Sequence, residues 1–274
     1  MAFRDRGIEI KTAEQIDLMR VAGRLVGETL ELLRAAVRPG VTTRELDTLA
    51  EAHIRDHGGV PSFKGYSHPP FPATICASVN EEVVHGIPGD RVLVEGDVIS
   101  IDCGAIVEGW HGDAAVTVPV GEVAADVTEL LRVTEESLWR GMAAARLGGR
   151  VTDISHAIET YVRAQGRYGI LEDYTGHGIG TEMHMSPNVP NYGRRGRGPT
   201  IVEGLALAVE PMVTLGSKHT DLLEDEWTVV TVDRSLAAHF EHTFTVTDRG
   251  AWVLTAVDGG EERLRELGVP FGGR

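Results

Sequence analysis

Cysteine is scarce in this 274-residue chain: Cys76 and Cys103 are the only two, so no disulfide framework supplies its stability. No uncharged apolar run approaches the roughly 18 residues that a membrane span needs, and the opening MAFRDRGIEIK holds no apolar stretch of the kind that marks a secretion signal. A protein of the reducing cytoplasm is the expectation. Basic residues are outnumbered, 26 Lys and Arg against 41 Asp and Glu, for a net charge of −15. Such a field repels phosphate backbones and anionic headgroups, which argues against a nucleic-acid substrate and against a membrane partner. The one local exception, Arg194-Arg195-Gly196-Arg197, reads as a solvated loop. With 42% apolar and 24% charged residues the composition is that of a globular chain rather than a disordered or fibrous one.

The 33 glycines imply many tight turns, and the apolar periodicity between them gives the organisation. A helix is expected from Thr12, where Thr12 and Gln15 read as a capping box ahead of Ile16, Met19, Gly23, Val26, Leu30 and Leu33, ending at Pro39-Gly40. Thr42 and Glu45 open a second helix that Gly58-Gly59 closes. The unit returns about 110 residues on: a helix between Val127 and Ala145, the turn Gly149-Arg150-Val151-Thr152 beside the earlier Pro39-Gly40-Val41-Thr42, and a further helix to Gln165-Gly166. Each helical pair precedes β-like runs, at Thr74 to Val79, Val92 to Val94, Val98 to Val107, Trp110 to Val120, then Leu205 to Glu210, Thr228 to Val232 and Phe240 to Thr247. Segregated helices and strands predict an α+β fold, mainly antiparallel, in two similar halves around a shared centre, with the helices outside.

The acids fall in unusual places. Glu108-Gly109 reads as a two-residue hairpin turn; pairing Val107 with Trp110 then sets Asp102 opposite Ala115 and Asp113 opposite Gly104, so the two aspartates become diagonal neighbours on one face of an otherwise apolar hairpin. A polar outer face is one reading, and a shared cation between them is the other. Gly176-His177-Gly178 places an imidazole in a loop open to close approach, Glu210 ends the apolar strand Leu205 to Val209, and Glu241 alternates with bulky apolar neighbours. Each alone could be a surface group. Together, four carboxylates and one imidazole match two divalent cations sharing bridging ligands, whereas calcium would prefer oxygen alone.

At these residues the chain closely resembles the type I methionine aminopeptidases. The resemblance rests on Ser78-Val-Asn-Glu-Glu-Val-Val-His85-Gly-Ile-Pro, Ile101-Asp102-Cys, His111-Gly-Asp113, Gly176-His177-Gly-Ile-Gly, and Glu210-Pro-Met-Val with Glu241-His-Thr. It implies the duplicated pita-bread fold with a central dinuclear metal site, as a single catalytic domain over residues 1 to 274 with halves of roughly 12–121 and 122–250. It implies Asp102, Asp113, His177, Glu210 and Glu241 as ligands of two divalent ions, Co, Mn, Fe or Zn. A water bridging them would attack the first peptide carbonyl, Glu210 would shuttle the proton, His184 would steady the oxyanion, and His85 would bind the substrate amide. A methionine slot lined by Cys76, His85, Trp227 and Phe71 is implied, with substrates that are peptides and newly made chains bearing N-terminal methionine and a small second residue. A monomer is expected, with room for a transient ribosome contact.

Two departures stand out. Gly65-Tyr-Ser-His-Pro-Pro-Phe-Pro72 is about two residues longer than the loop usual in that family, which puts the contribution of His68 and Phe71 in question. Ala114 and Ala115 follow Asp113 where a hydroxyl residue is common, and the missing hydroxyl at Ala114 is expected to weaken metal affinity modestly. Prolidase-like proteins share the ligand set, and a non-catalytic binding module shares the fold; the short lead before the first helix argues against the former and the complete ligand set against the latter.

Overall fold

A computed structural model describes residues 7 to 274; residues 1 to 6, on which part of the expectation about a leader rests, lie outside the described residues. α1 (Ala13–Ala36) starts at Thr12, whose hydroxyl accepts from the Gln15 amide while the Gln15 side chain accepts from the Thr12 amide. α2 (Thr43–Asp56) repeats the device with Thr42 and Glu45. Each box satisfies amides that the first turn leaves bare, worth about 1 kcal/mol per cap. α3 (Ala125–Ala144) and α4 (Val151–Gln165) form the second pair, and a short α5 (Glu261–Glu266) follows the last strand. Among the described residues no helix is long and apolar enough to cross a membrane.

Backbone hydrogen bonds carry the duplication. The turn between α1 and α2 is tied by Gly40 N–H to Leu93 O, Leu93 N–H to Val41 O and Thr43 N–H to Arg91 O. The turn before α4 is tied by Gly148 N–H to Ile201 O, Ile201 N–H to Gly149 O and Val151 N–H to Pro199 O, each partner 108 positions further on (41 to 149, 93 to 201). The repeat is therefore offset by 108 rather than by the 110 that pairing Thr42 with Thr152 suggests. In the second copy Arg150 takes the place of Thr42, and Asp153 accepts from the Arg150 amide, so only the carboxylate half of the capping box persists.

The main sheet runs, in spatial order, Val60–Pro61, Val98–Val107, Trp110–Pro119, Glu241–Thr247, Ala206–Val209, Gly176–Gly178 and Met185–Val189; Ile75–Val79 pairs beside Val98–Val107 and Gly250–Val253 beside Glu241–Thr247. Every pairing in it is antiparallel. The hairpin has the expected register, Val107 to Trp110, Asp102 to Ala115 and Gly104 to Asp113. Glu108 and Gly109 both take positive φ, 50° and 83°, as a two-residue turn that matches strand twist requires. The halves meet where Glu241 pairs Ala115 and His242 pairs Ala114.

Two expectations change. Val92 to Val94 is no strand: Leu93 turns inward and is fully buried while Val92 and Val94 stay exposed, because its one strand-like partner is the interhelical turn. His177 lies in the short strand Gly176–Gly178, hydrogen-bonded on both edges, rather than in a loop.

The sheet face opposite the acids packs on α1, with the closest approach at two glycines: a Cβ on Gly112 would come within 2.7 Å of the Gly23 backbone. Overpacking of that kind costs about 1–3 kcal/mol. Gly112→Ala should therefore lower the unfolding free energy by that amount, through a lower denaturant midpoint at an unchanged slope, and an unchanged midpoint would mean that α1 shifts aside freely.

Candidate metal centre and substrate cavity

Register alone collects the acids on one face. Asp102 and Glu241 both pair Ala115, and because His242 pairs Val209, Glu210 comes next to Glu241; these form one row across the sheet. Asp113 lies two residues from Ala115, and His177 pairs Ala208, two residues from Glu210, so they form the adjoining row with the same facing. Thr243 stabilises this row where the strands part: its hydroxyl donates to the Asp113 carbonyl (2.8 Å) and accepts from the Asp113 amide (3.2 Å).

The glycines around His177 have a steric reason. A Cβ on Gly176 would collide with the Ala208 carbonyl and one on Gly178 with the Ser186 carbonyl, so only glycine lets the strand fit between its two neighbours. His177 Nδ1 donates to Gly178 O at 3.0 Å, since a carbonyl only accepts. That leaves Nε2 with its lone pair directed at Glu210 Oε1 (3.6 Å) and Asp113 Oδ2 (3.8 Å), the arrangement of a metal-binding imidazole.

Burial raises every one of these acids. Asp102 is pushed up to about 7 against the pull of the Cys103 amide. Asp113, Glu210 and Glu241 rise well above the ordinary carboxylate value, through burial first and then through neighbouring charge, that of Asp102 in every case and of one another at Asp113 and Glu241. Burial and His184 lower His177 to about 3. Asp102 Oδ1, Asp113 Oδ1 and Glu241 Oε1 are buried without a hydrogen-bond partner, an arrangement that costs energy unless protons or cations arrive. Ligand atoms of Asp113, His177 and Glu241 lie within 4.8 Å of one another. Orphaned oxygens, a neutral imidazole and a mixed O/N donor set fit a divalent transition metal.

Above the acids is a cavity of about 170 Å³, and cavities near 150 Å³ accept a benzene-sized group. Cys76, which pairs Asp102, Phe71, His85, Trp227 and His184 all line it. Phe71 and His85 meet Trp227 edge-on at 5.1 and 5.9 Å, and His85 also meets Tyr174 at 5.8 Å. His184 stacks edge-on against His177 at 4.4 Å, so the second histidine stands beside the donors. His68 is exposed and takes no part in the wall.

Ala114 requires a correction. It pairs Cys103 and His242, so its side chain points away from Asp102 and Asp113, and a hydroxyl there would face the wrong side; Ala115, between Asp102 and Glu241, is the position that faces the donors. Seven cavity residues escaped the sequence reading: Phe63, Tyr66, Val84, Tyr174, Thr175, Met183 and His239. For His239 a signal existed, since it precedes Glu241 by two positions on an alternating segment.

The profile of metallopeptidase family M24 matches residues 17–248. A methionine aminopeptidase of Clostridium acetobutylicum is 54% identical over 249 residues, covering 90% of this chain and 98% of the relative; methionine aminopeptidase 1 of Bacillus subtilis is 50% identical over 247 residues, at 90% and 98%. The crystal structure of the Thermotoga maritima methionine aminopeptidase superposes with a TM-score of 0.88 at 43% identity, covering 91% of this chain and 99% of that one. A prolidase of Pyrococcus horikoshii shares the fold at a TM-score of 0.72 and 20% identity, over 64% of its longer chain. Near-complete coverage in both directions, on top of the register that gathers the acids, decides the matter: the chain belongs to metallopeptidase family M24, among its methionine aminopeptidases.

Proposed function

We propose that the chain removes methionine from the amino terminus of newly made proteins and peptides whose second residue is small, using two divalent ions held by Asp102, Asp113, His177, Glu210 and Glu241. The gathering of these five side chains on one sheet face, under a small cavity walled by Cys76, Phe71, His85 and Trp227, carries the reading. Sulfur and aromatic edges suit a thioether. Four carboxylates balance two divalent charges, and Mn, Fe, Co and Zn all accept such donors. When bound, the ions supply Lewis-acid polarisation of the scissile carbonyl and acidify a water.

The chain's own groups do the rest. Glu210, whose burial keeps its proton affinity high, accepts the proton of the attacking water and returns it to the leaving nitrogen. His85 is held neutral at neutral pH by burial, at about 4, and its ring, edge-on to Tyr174 and Trp227 in the cavity wall, would bind the substrate amide. His184 Nδ1 lies 2.6 Å from Tyr66 Oη; the phenol is the better donor, so Nε2 keeps its hydrogen and offers it to the oxyanion. Residues 1–274 then act as a single catalytic domain with halves near 12–121 and 122–250. The same reading carries a monomer working in the cytoplasm, and a net charge of −15 leaves a ribosome contact to a small patch at most.

Chelator-stripped protein reloaded with each metal should release methionine rapidly from Met-Ala-Ser, slowly from Met-Leu-Ser and not cleave Gly-Pro. Asp102→Asn and Glu210→Gln should abolish turnover in a folded protein, while His85→Ala and His184→Ala should lose turnover but keep the metals. Cleavage of Gly-Pro alone would assign the chain to proline dipeptide hydrolysis instead. Tyr66→Phe should lower kcat about five- to tenfold, the worth of one neutral hydrogen bond, with metal affinity unchanged; an equal kcat would remove Tyr66 from the oxyanion arrangement. Because burial raises all four carboxyls, Asp102 to about 7, metal loading competes with protons. Calorimetry in buffers of different ionisation enthalpy should report proton release and an affinity that climbs as pH rises through about 7, the level set by Asp102; equal heats in all buffers would contradict protonated acids.

A further inference from the structure

We propose that His239, Glu210 and Glu241 form a third cation seat, on the side of the carboxylate row away from His177, and that its filling inhibits the enzyme; the inference rests on the metal-centre reading above. His239 precedes Glu241 by two positions, pairs Met212 and faces the cavity. Its backbone is pinned: the amide donates to Thr117 Oγ1 (2.9 Å) and the carbonyl accepts from the same hydroxyl (2.8 Å). The residue is 1% exposed, yet both ring nitrogens lack a partner, although buried ring nitrogens ordinarily find one.

What the ring faces is a pair of carboxylates. Nε2 lies 3.8 Å from Glu210 Oε2 and 3.7 Å from Glu241 Oε2, too far for a hydrogen bond of about 2.7–3.2 Å. Those are the separations found around His177 Nε2, 3.6 and 3.8 Å, and donors each about 2.1 Å from a common tetrahedral ion stand about 3.4 Å apart, so a small side-chain rotation closes either seat on an ion. Glu210 turns Oε1 to His177 and Oε2 to His239, so its carboxylate spans both seats. The ligand atoms of Glu210, His239 and Glu241 lie within 4.8 Å of one another, as do those of Asp113, His177 and Glu241.

Charge sets the order of filling. The four acids are balanced by two divalent ions, so a third enters a site already neutral and binds more weakly. Once there it occupies Glu210 Oε2, and the carboxylate that moves the proton is tied up. Excess metal should thus suppress turnover after lower metal has switched it on.

The test uses the full chain with Co(II) or Mn(II) alone. Equilibrium dialysis of the wild type should show a third, weaker equivalent, and nitrogen hyperfine couplings in the Mn(II)-loaded protein should report a second imidazole as it fills. His239→Gln should lose the third equivalent, the second imidazole and the inhibition at high metal, while keeping two equivalents and activation at low metal. Two equivalents with one imidazole at saturating metal in the wild type would overturn the third seat and leave the two-ion centre standing. Failure to bind any cation would overturn both.

Discussion

Four carboxylates on one face of an apolar sheet are a standing electrostatic problem, and the architecture is organised around it. An uncompensated buried anion costs several kcal/mol even after relaxation, and here Asp113, Glu210 and Glu241 also repel one another. Such a cluster persists only with protons or cations in it. The means of holding it are backbone ones: strand register sets the facing, Thr243 clamps the Asp113 peptide from both sides, and glycines beside His177 let the imidazole strand fit between its neighbours. Because these elements hold the donors whatever their charge state, the site is preorganised for the metal rather than assembled by it.

Duplication explains why the acids lie at the centre. The hydrogen bonds of the interhelical turns repeat at an offset of 108, and the same offset relates Asp102 to Glu210. One carboxylate of the row therefore comes from equivalent strands of each copy, and the two meet where Glu241 pairs Ala115. The symmetry is incomplete where chemistry needs it to be. His177 has no imidazole counterpart in the row given by the first half, so the second half supplies the nitrogen donor.

Much of this was legible in the sequence where local chemistry dictates geometry. A two-residue turn determines the whole hairpin register, which is why the Asp102 and Asp113 relation could be read in advance, and the Thr12 and Thr42 capping boxes mark helix starts directly. The failures have a common cause: they are features set by tertiary neighbours. Gly176-His177-Gly178 reads as a loop by composition and becomes a strand only because two other strands flank it. Val92 to Val94 has strand-forming residues, yet its inward and outward sides are decided by the Gly40-Val41 turn. His239 lies between small alanines and a phenylalanine, and its importance depends on Glu210, which is close in space but not in sequence.

A fold by itself does not choose a substrate. Specificity must then come from the walls, and these are loops and short strands outside the main sheet. The rim loop illustrates how such a wall tolerates change. Gly65 N–H bonds to Phe71 O at 2.8 Å and Phe71 N–H to Tyr66 O at 2.9 Å, closing the loop at its base, while Ser67 to Pro70 stay exposed. The exposed residues face outward, while Tyr66 reaches His184 and Phe71 packs, 2% exposed, against Trp227. A loop anchored in this way can vary in length without moving either aromatic group, which separates the evolution of the rim from the chemistry of the floor.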